Sequence, residues 1–197
     1  MSNRDKILSA VKQNQPTLVS LPEVAQFDKY FTESITEFKK VCEGIGATLH
    51  FTDSYESIIL LLEEQFATAR PVVTSIPELA AINSSSAIFN SPQEYENIEL
   101  VVIKAQLGVA ENGAVWITEA DVLERALPFI TQHLAVVLHK DMLVATMHDA
   151  YKLIGKDNYG WGTFIAGPSK TADIEQSLVL GAHGPRTMTI FIMGTLL

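Results

Sequence analysis

The sequence predicts an α/β fold, a mixed but mostly parallel sheet flanked by helices. Three observations carry that expectation. Apolar runs of strand length alternate with segments of helical spacing along the chain. Several of those runs, Leu134-Ala135-Val136-Val137-Leu138 above all, are continuously apolar, as in strands buried on both faces. Glycine and proline punctuate the boundaries. At 197 residues the chain is long enough for one such domain with an extension, so the expected division is an N-terminal helical extension over 1–22 and an α/β domain over 23–197.

In order, residues 3–14 read as a short helix capped by Asn3, with Ile7, Leu8 and Val11 on one face, expected to rest on the domain. Pro16 and Pro22 break the pattern. A long amphipathic helix follows over 23–46, its stripe running from Val24 through Phe38 and Cys42 to Ile45, and Gly44 and Gly46 end it. A strand at 47–52 leads to a helix at 54–68 started by Asp53 or Ser54. Residues 71–74 begin a short strand, Pro77 opens a brief helix, and Ser84-Ser85-Ser86 is a turn. Residues 98–105 are strand-like, and Ala110-Glu111-Asn112-Gly113 is turn chemistry between hairpin-like strands that end near 118. A helix is expected from 119 to Leu127, stopped by Pro128, and another from Met142 to Ile154. Asn158 to Gly162 is a glycine-rich loop. The run 163–165 is a strand, 172–180 has helical spacing, and 187–193 is a closing strand.

The stretch Gly167-Pro168-Ser169-Lys170-Thr171 therefore reads as a strand–helix turn with the features of an anion site. Gly167 lets the backbone approach a ligand, Ser169 and Thr171 offer hydroxyls, Lys170 offers charge, and helix N–H groups would face the turn. It reads equally as a capped turn with nothing bound. The P-loop spacing is absent. Beyond 180, His183-Gly184-Pro185-Arg186 forms a second turn whose cations flank the first, although the two turns of one helix usually lie at opposite ends of a sheet.

Composition narrows the classes. Fourteen basic residues against 23 acidic ones give a net charge of −9, which argues against nucleic-acid binding. The N-terminus lacks an apolar signal core, and no apolar run reaches membrane-spanning length, so a soluble, cytoplasmic protein without a membrane partner is expected. Cys42 is the single cysteine, so the chain cannot hold an iron–sulfur cluster on thiolates. The histidines show no metal-ligand spacing, and neither a metal nor another cofactor is expected. Trp116 and Trp161 lie near the two turns and could line a pocket, though packing is their ordinary role.

Two blocks resemble a known family. Gly167 to Glu175 with Gly181-Ala182-His183-Gly184-Pro185-Arg186, and Gly108-Val109-Ala110-Glu111-Asn112-Gly113-Ala114-Val115, are similar to the signatures of the LUD domain, found in the C-type subunits of bacterial lactate-utilisation complexes. The family more often has Thr at Asn112. The resemblance implies the fold shared by sugar-phosphate isomerases and coenzyme A transferases. It also implies an accessory subunit of a system oxidising L-lactate to pyruvate, with iron–sulfur redox partners and a small organic anion as ligand. The ligand-binding residues would be Asn112, Gly113, Gly167, Ser169, Lys170, Thr171, His183 and Arg186. Glu111-Asn112-Gly113 also resembles the turn of coenzyme A transferases whose glutamate attacks an acyl-thioester. That makes Glu111 the catalytic candidate of an acyl-transfer alternative. A regulatory metabolite-binding domain is the third reading.

Overall fold

A computed structural model describes residues 2–20, 22, 34–66, 71–84, 92–155, 158–174 and 177–194. Its centre is a five-stranded parallel sheet in the order β1 (Thr48–Thr52), β11 (Thr187–Met193), β6 (His133–His139), β3 (Leu100–Lys104), β2 (Val72–Thr74). The apolar runs build it because both faces are covered. In β3, Val101 and Ile103 join one core while Leu100 and Val102 join the other. In β6, Leu134, Val136 and Leu138 face one way, and Ala135 and Val137 the other. Burying side chains on both faces is what a parallel sheet requires of its strands.

One face is covered by α2 (Ser34–Gly44), which sets Phe38 and Cys42 into the core. The other is covered by α3 (Tyr55–Gln65), which presents Ile58 and Leu62, and by a 3-10 segment Pro77–Ile82 with its proline in the first turn. Ser54 caps α3 by accepting the Ser57 N–H at 3.2 Å. A second sheet runs β7 (Leu143–Val144), β4 (Leu107–Val109), β5 (Ala114–Thr118), β8 (Gly162–Ile165). It packs on α5 (Met147–Ile154) through Val109, Trp116, Ala150 and Ile154.

Several expectations are corrected. The segment expected to be a helix over 172–180 is an antiparallel hairpin of β9 (Lys170–Ile174) and β10 (Ser177–Leu180). Thr171, Ile174 and Val179 are β-branched and favour the extended backbone. The hairpin near 98–118 is β4 with β5, whereas β3 belongs to the parallel sheet. No helix fills 119–127. A single 3-10 turn Glu119–Asp121 is followed by α4 (Leu127–Ile130), which Pro128 helps to start, because its fixed φ and missing N–H suit a first turn. The helix expected from Met142 begins only at Met147, after Thr146 has capped it. The N-terminal helix α1 (Asn3–Gln13) is capped by Ser2, in a reciprocal pair with Asp5, rather than by Asn3. None of its residues is buried, and Ile7, Leu8 and Val11, expected to face the domain, are exposed. Residues 23–33 of the expected long helix, and Ser85 and Ser86, lie outside the described residues.

Candidate functional site

The parallel sheet has two ends, and the residues expected to form a site gather at its amino end. The chain enters β1 through Ile45-Gly46-Ala47 and β11 through Gly184-Pro185-Arg186. Because 170–180 is a hairpin and not a helix, the two glycine turns that flank it meet. The Ser169 N–H donates to the Pro185 carbonyl at 2.8 Å, and the Gly181 N–H donates to the Ser169 carbonyl at 3.0 Å. The separation expected between these turns is thus removed. Arg186 donates its N–H to the Gln132 carbonyl at 2.8 Å, which ties the turn to the start of β6. Lys170, His183 and Arg186 are exposed and Thr171 is half-buried.

Gly113 and Gly167, one from each block, converge on one residue. Gly113 has φ +70°, and a Cβ there would lie 2.9 Å from Ile45 Cδ1 and 3.0 Å from Cys42 Sγ. Gly167 has φ +73°, and a Cβ there would lie 3.0 Å from the Ile45 carbonyl oxygen and 3.1 Å from its Cγ1. Both are buried. These glycines let two turns close on the end of α2, and neither backbone faces open space. The Cys42 thiol lies 3.7 Å from the Gly113 carbonyl, and burial followed by the charge of Glu43 pushes its pKa up to about 12.

Glu111 and Asn112 have partners of their own. Asn112 Oδ1 accepts the Ala114 N–H at 3.0 Å, which fixes the turn. Glu111 Oε2 accepts the Met147 N–H at 3.2 Å, at the positive end of α5. Thr146 and Asp149 cap the same helix end. The Thr146 hydroxyl, then Lys152, hold the Asp149 carboxyl below the ordinary carboxylate range. Glu111 is half-buried and serves as a cap.

At the carboxyl end of the sheet lies a cleft that the sequence reading missed. Lys104 ends β3 after four buried residues, and His139 ends β6 after five. Together with Gln106, Asp121 and Met142 they line a cavity of about 610 Å³. Asp121 organises its floor. Its Oδ2 accepts the Thr118 N–H at 2.7 Å, the Thr118 hydroxyl at 2.8 Å and the Gln106 side-chain amide at 3.1 Å. The Ser75 hydroxyl donates to the Asp121 carbonyl at 2.6 Å, which joins β2 to the same loop. His139 Nδ1 stands 3.5 Å from Asp141 Oδ2. The Lys104 side chain has neither ion pair nor hydrogen bond among the described residues. Gln106 and Met142 also border a second cavity of about 260 Å³, lined by Leu107, Trp116, Leu153, Ile154 and Tyr159. The one signal in the sequence was a polar residue closing each buried run. Ligands of open α/β sheets sit at this end.

Trp116 thus lines a cavity, whereas Trp161 packs against the core beside Phe129. Among the described residues no cluster of His, Cys, Asp and Glu could hold a metal ion, and no helix is long and apolar enough to cross a membrane.

Comparison with known proteins adds three findings. A family model described as the LUD domain matches residues 5–193. Lactate utilization protein C of Shouchella clausii is 32% identical over 101 residues, 48% of this chain and 44% of its own length. Lactate utilization protein C of an Exiguobacterium species is 28% identical over 172 residues, 78% of this chain and 74% of its own. The chain spans less than half the length of the Shouchella clausii and Bacillus pumilus relatives it matches, 44% and 42%. The crystal structure of a DUF162 family protein from Deinococcus radiodurans superimposes with a TM-score of 0.60 over 82% of this chain and 96% of that one. At 18% identity that is a likeness of fold.

Proposed function

This chain belongs to the LUD domain family, and we propose that it works as an accessory subunit of a lactate-utilisation system, in which L-lactate is oxidised to pyruvate. The observation that carries the reading is the 172-residue alignment, over 78% of this chain, with a relative named lactate utilization protein C. The redox chemistry belongs to iron–sulfur partners. A cluster takes about four thiolates, and this chain has one cysteine, buried and held protonated. Lys170, His183 and Arg186, exposed around the hairpin of a protein of net charge −9, are the contact point for an acidic partner surface or a small organic anion.

The acyl-transfer alternative has less support. A nucleophilic carboxylate needs a free oxygen lone pair facing substrate, and one oxygen of Glu111 is already engaged by α5.

Anaerobic purification of the chain from its native host tests the proposal. The expected result is a brown fraction containing cysteine-rich chains, lost when Lys170 and Arg186 are both changed to Glu. A colourless, solitary protein, together with undiminished growth on lactate after deletion of the gene, contradicts it.

A further inference from the structure

We infer that the cleft at the carboxyl ends of β3 and β6 binds an amphipathic monocarboxylate, a molecule with one carboxylate and an aliphatic or aromatic body longer than three carbons. The inference stands apart from the lactate-utilisation reading and uses none of its residues.

Size comes first. The larger cavity is about 610 Å³ and the adjoining one about 260 Å³, with Gln106 and Met142 on their common border. A three-carbon hydroxy acid displaces on the order of 100 Å³, the room of three or four waters. Lactate would fill a corner of this space, and ligand sites are commonly about 300–1,000 Å³.

The chemistry of the two halves differs. On the polar side stand Lys104, a cation whose side chain has no partner among the described residues, and His139. The carboxylates nearby, Asp121, Asp141 and Glu78, limit how much negative charge can enter. Asp121 has its Oδ2 covered by three donors, and Asp141 is directed to His139 and is 72% exposed at its side chain. Glu78 also borders Lys104 and Asp121, so the rim is negative on balance, which repels a polyphosphate and leaves Lys104 as the one lysine or arginine lining the cavity to pair with a single carboxylate.

The apolar side is built of Leu107, Trp116, Met142, Leu153, Ile154 and Tyr159. Three of these leave large apolar surface in water: Met142 is 42% exposed, Leu153 61% and Tyr159 40%. A ligand body laid there removes that surface from solvent. The floor is closely packed. Trp116 is held edge-on by Tyr159 at 5.3 Å and tilted against Phe164 at 4.7 Å. Gly162 passes directly beneath it, where a Cβ would come within 2.5 Å of the ring. A preformed floor lowers the entropic cost of binding.

Octanoate is the probe, titrated into the full chain and followed by tryptophan fluorescence, with lactate and adenosine monophosphate as comparators. Octanoate is expected to bind saturably and to change the Trp116 emission, while neither comparator displaces it at equal concentration. Lys104→Gln is expected to weaken octanoate about tenfold, the loss of one charge-assisted hydrogen bond, and Lys104→Arg to retain it. Met142→Asp, which puts a charge at the mouth of the apolar half, is expected to weaken it at least about tenfold. Melting curves of the variants show that the fold is kept. No saturable binding, binding indifferent to both Lys104→Gln and Met142→Asp, or equal binding of lactate or the nucleotide overturns the inference.

Discussion

The two ends of the parallel sheet are finished in opposite ways. At the amino end, glycines from both signature blocks close on Ile45, and the turns around β9 and β10 are tied to each other through Ser169. At the carboxyl end, β3 and β6 stop at Lys104 and His139 on the rim of an open cleft. Short motifs in a sequence need not mark chemistry. Here they mark the positions where only glycine lets two backbones meet a helix end. Besides the exposed cations of those turns, a second set of polar residues, Lys104 and His139, stands where buried strands run out.

Substitutions that strike the closed end sharpen the contrast most. Gly113→Val sets a branched side chain against Ile45 and Cys42 at a positive φ, and a loss of about 3 kcal/mol in urea unfolding is expected. A loss below about 1 kcal/mol would mean that the amino end is loosely packed. A smaller effect is expected from pH. The Cys42 thiol keeps its proton in the folded chain up to about 12, against an ordinary value of 9.0. The unfolded chain releases that proton sooner. This contribution to stability is therefore complete below pH 9 and is lost as pH rises towards 12. Cys42→Ala should remove that slope from alkaline unfolding curves, and a thiol reagent at pH 8 should label Cys42 only after unfolding.

Glu111→Ala removes the acceptor at the start of α5 and should cost about 1 kcal/mol. A loss of lactate-dependent growth with no change in melting temperature would instead assign Glu111 a chemical role. Least of all, Lys104→Gln at the open end should change stability by less than about 0.5 kcal/mol, because the side chain is exposed and has no partner among the described residues.

Much of this architecture was legible in the sequence. Leu134 to Leu138 suited a strand covered on both sides and 187–193 an apolar closing strand, and the alternation around them set the fold class. Short segments of mixed spacing were not legible. Residues 170–180 fit a helix and a hairpin about equally by periodicity, and pairing decided between them. Pro128 was read as a stop where it is a start, since proline is compatible with both. For the candidate site, Gly113 and Gly167 of the two blocks come together, but what joins them, Ile45, belongs to neither block. The cleft went unseen for a related reason. Lys104, Gln106, Asp121, His139 and Met142 share no motif and meet only because parallel strands end on one edge.

The most direct test of this division is a backbone amide NMR titration of the full chain with octanoate. Shifts are expected to concentrate at Lys104, Gln106, Asp121 and His139, with the amides of Gly113, Gly167 and Ser169 unmoved. Shifts confined to 111–113 and 167–171 would place the binding end of the molecule at the signature turns and contradict it.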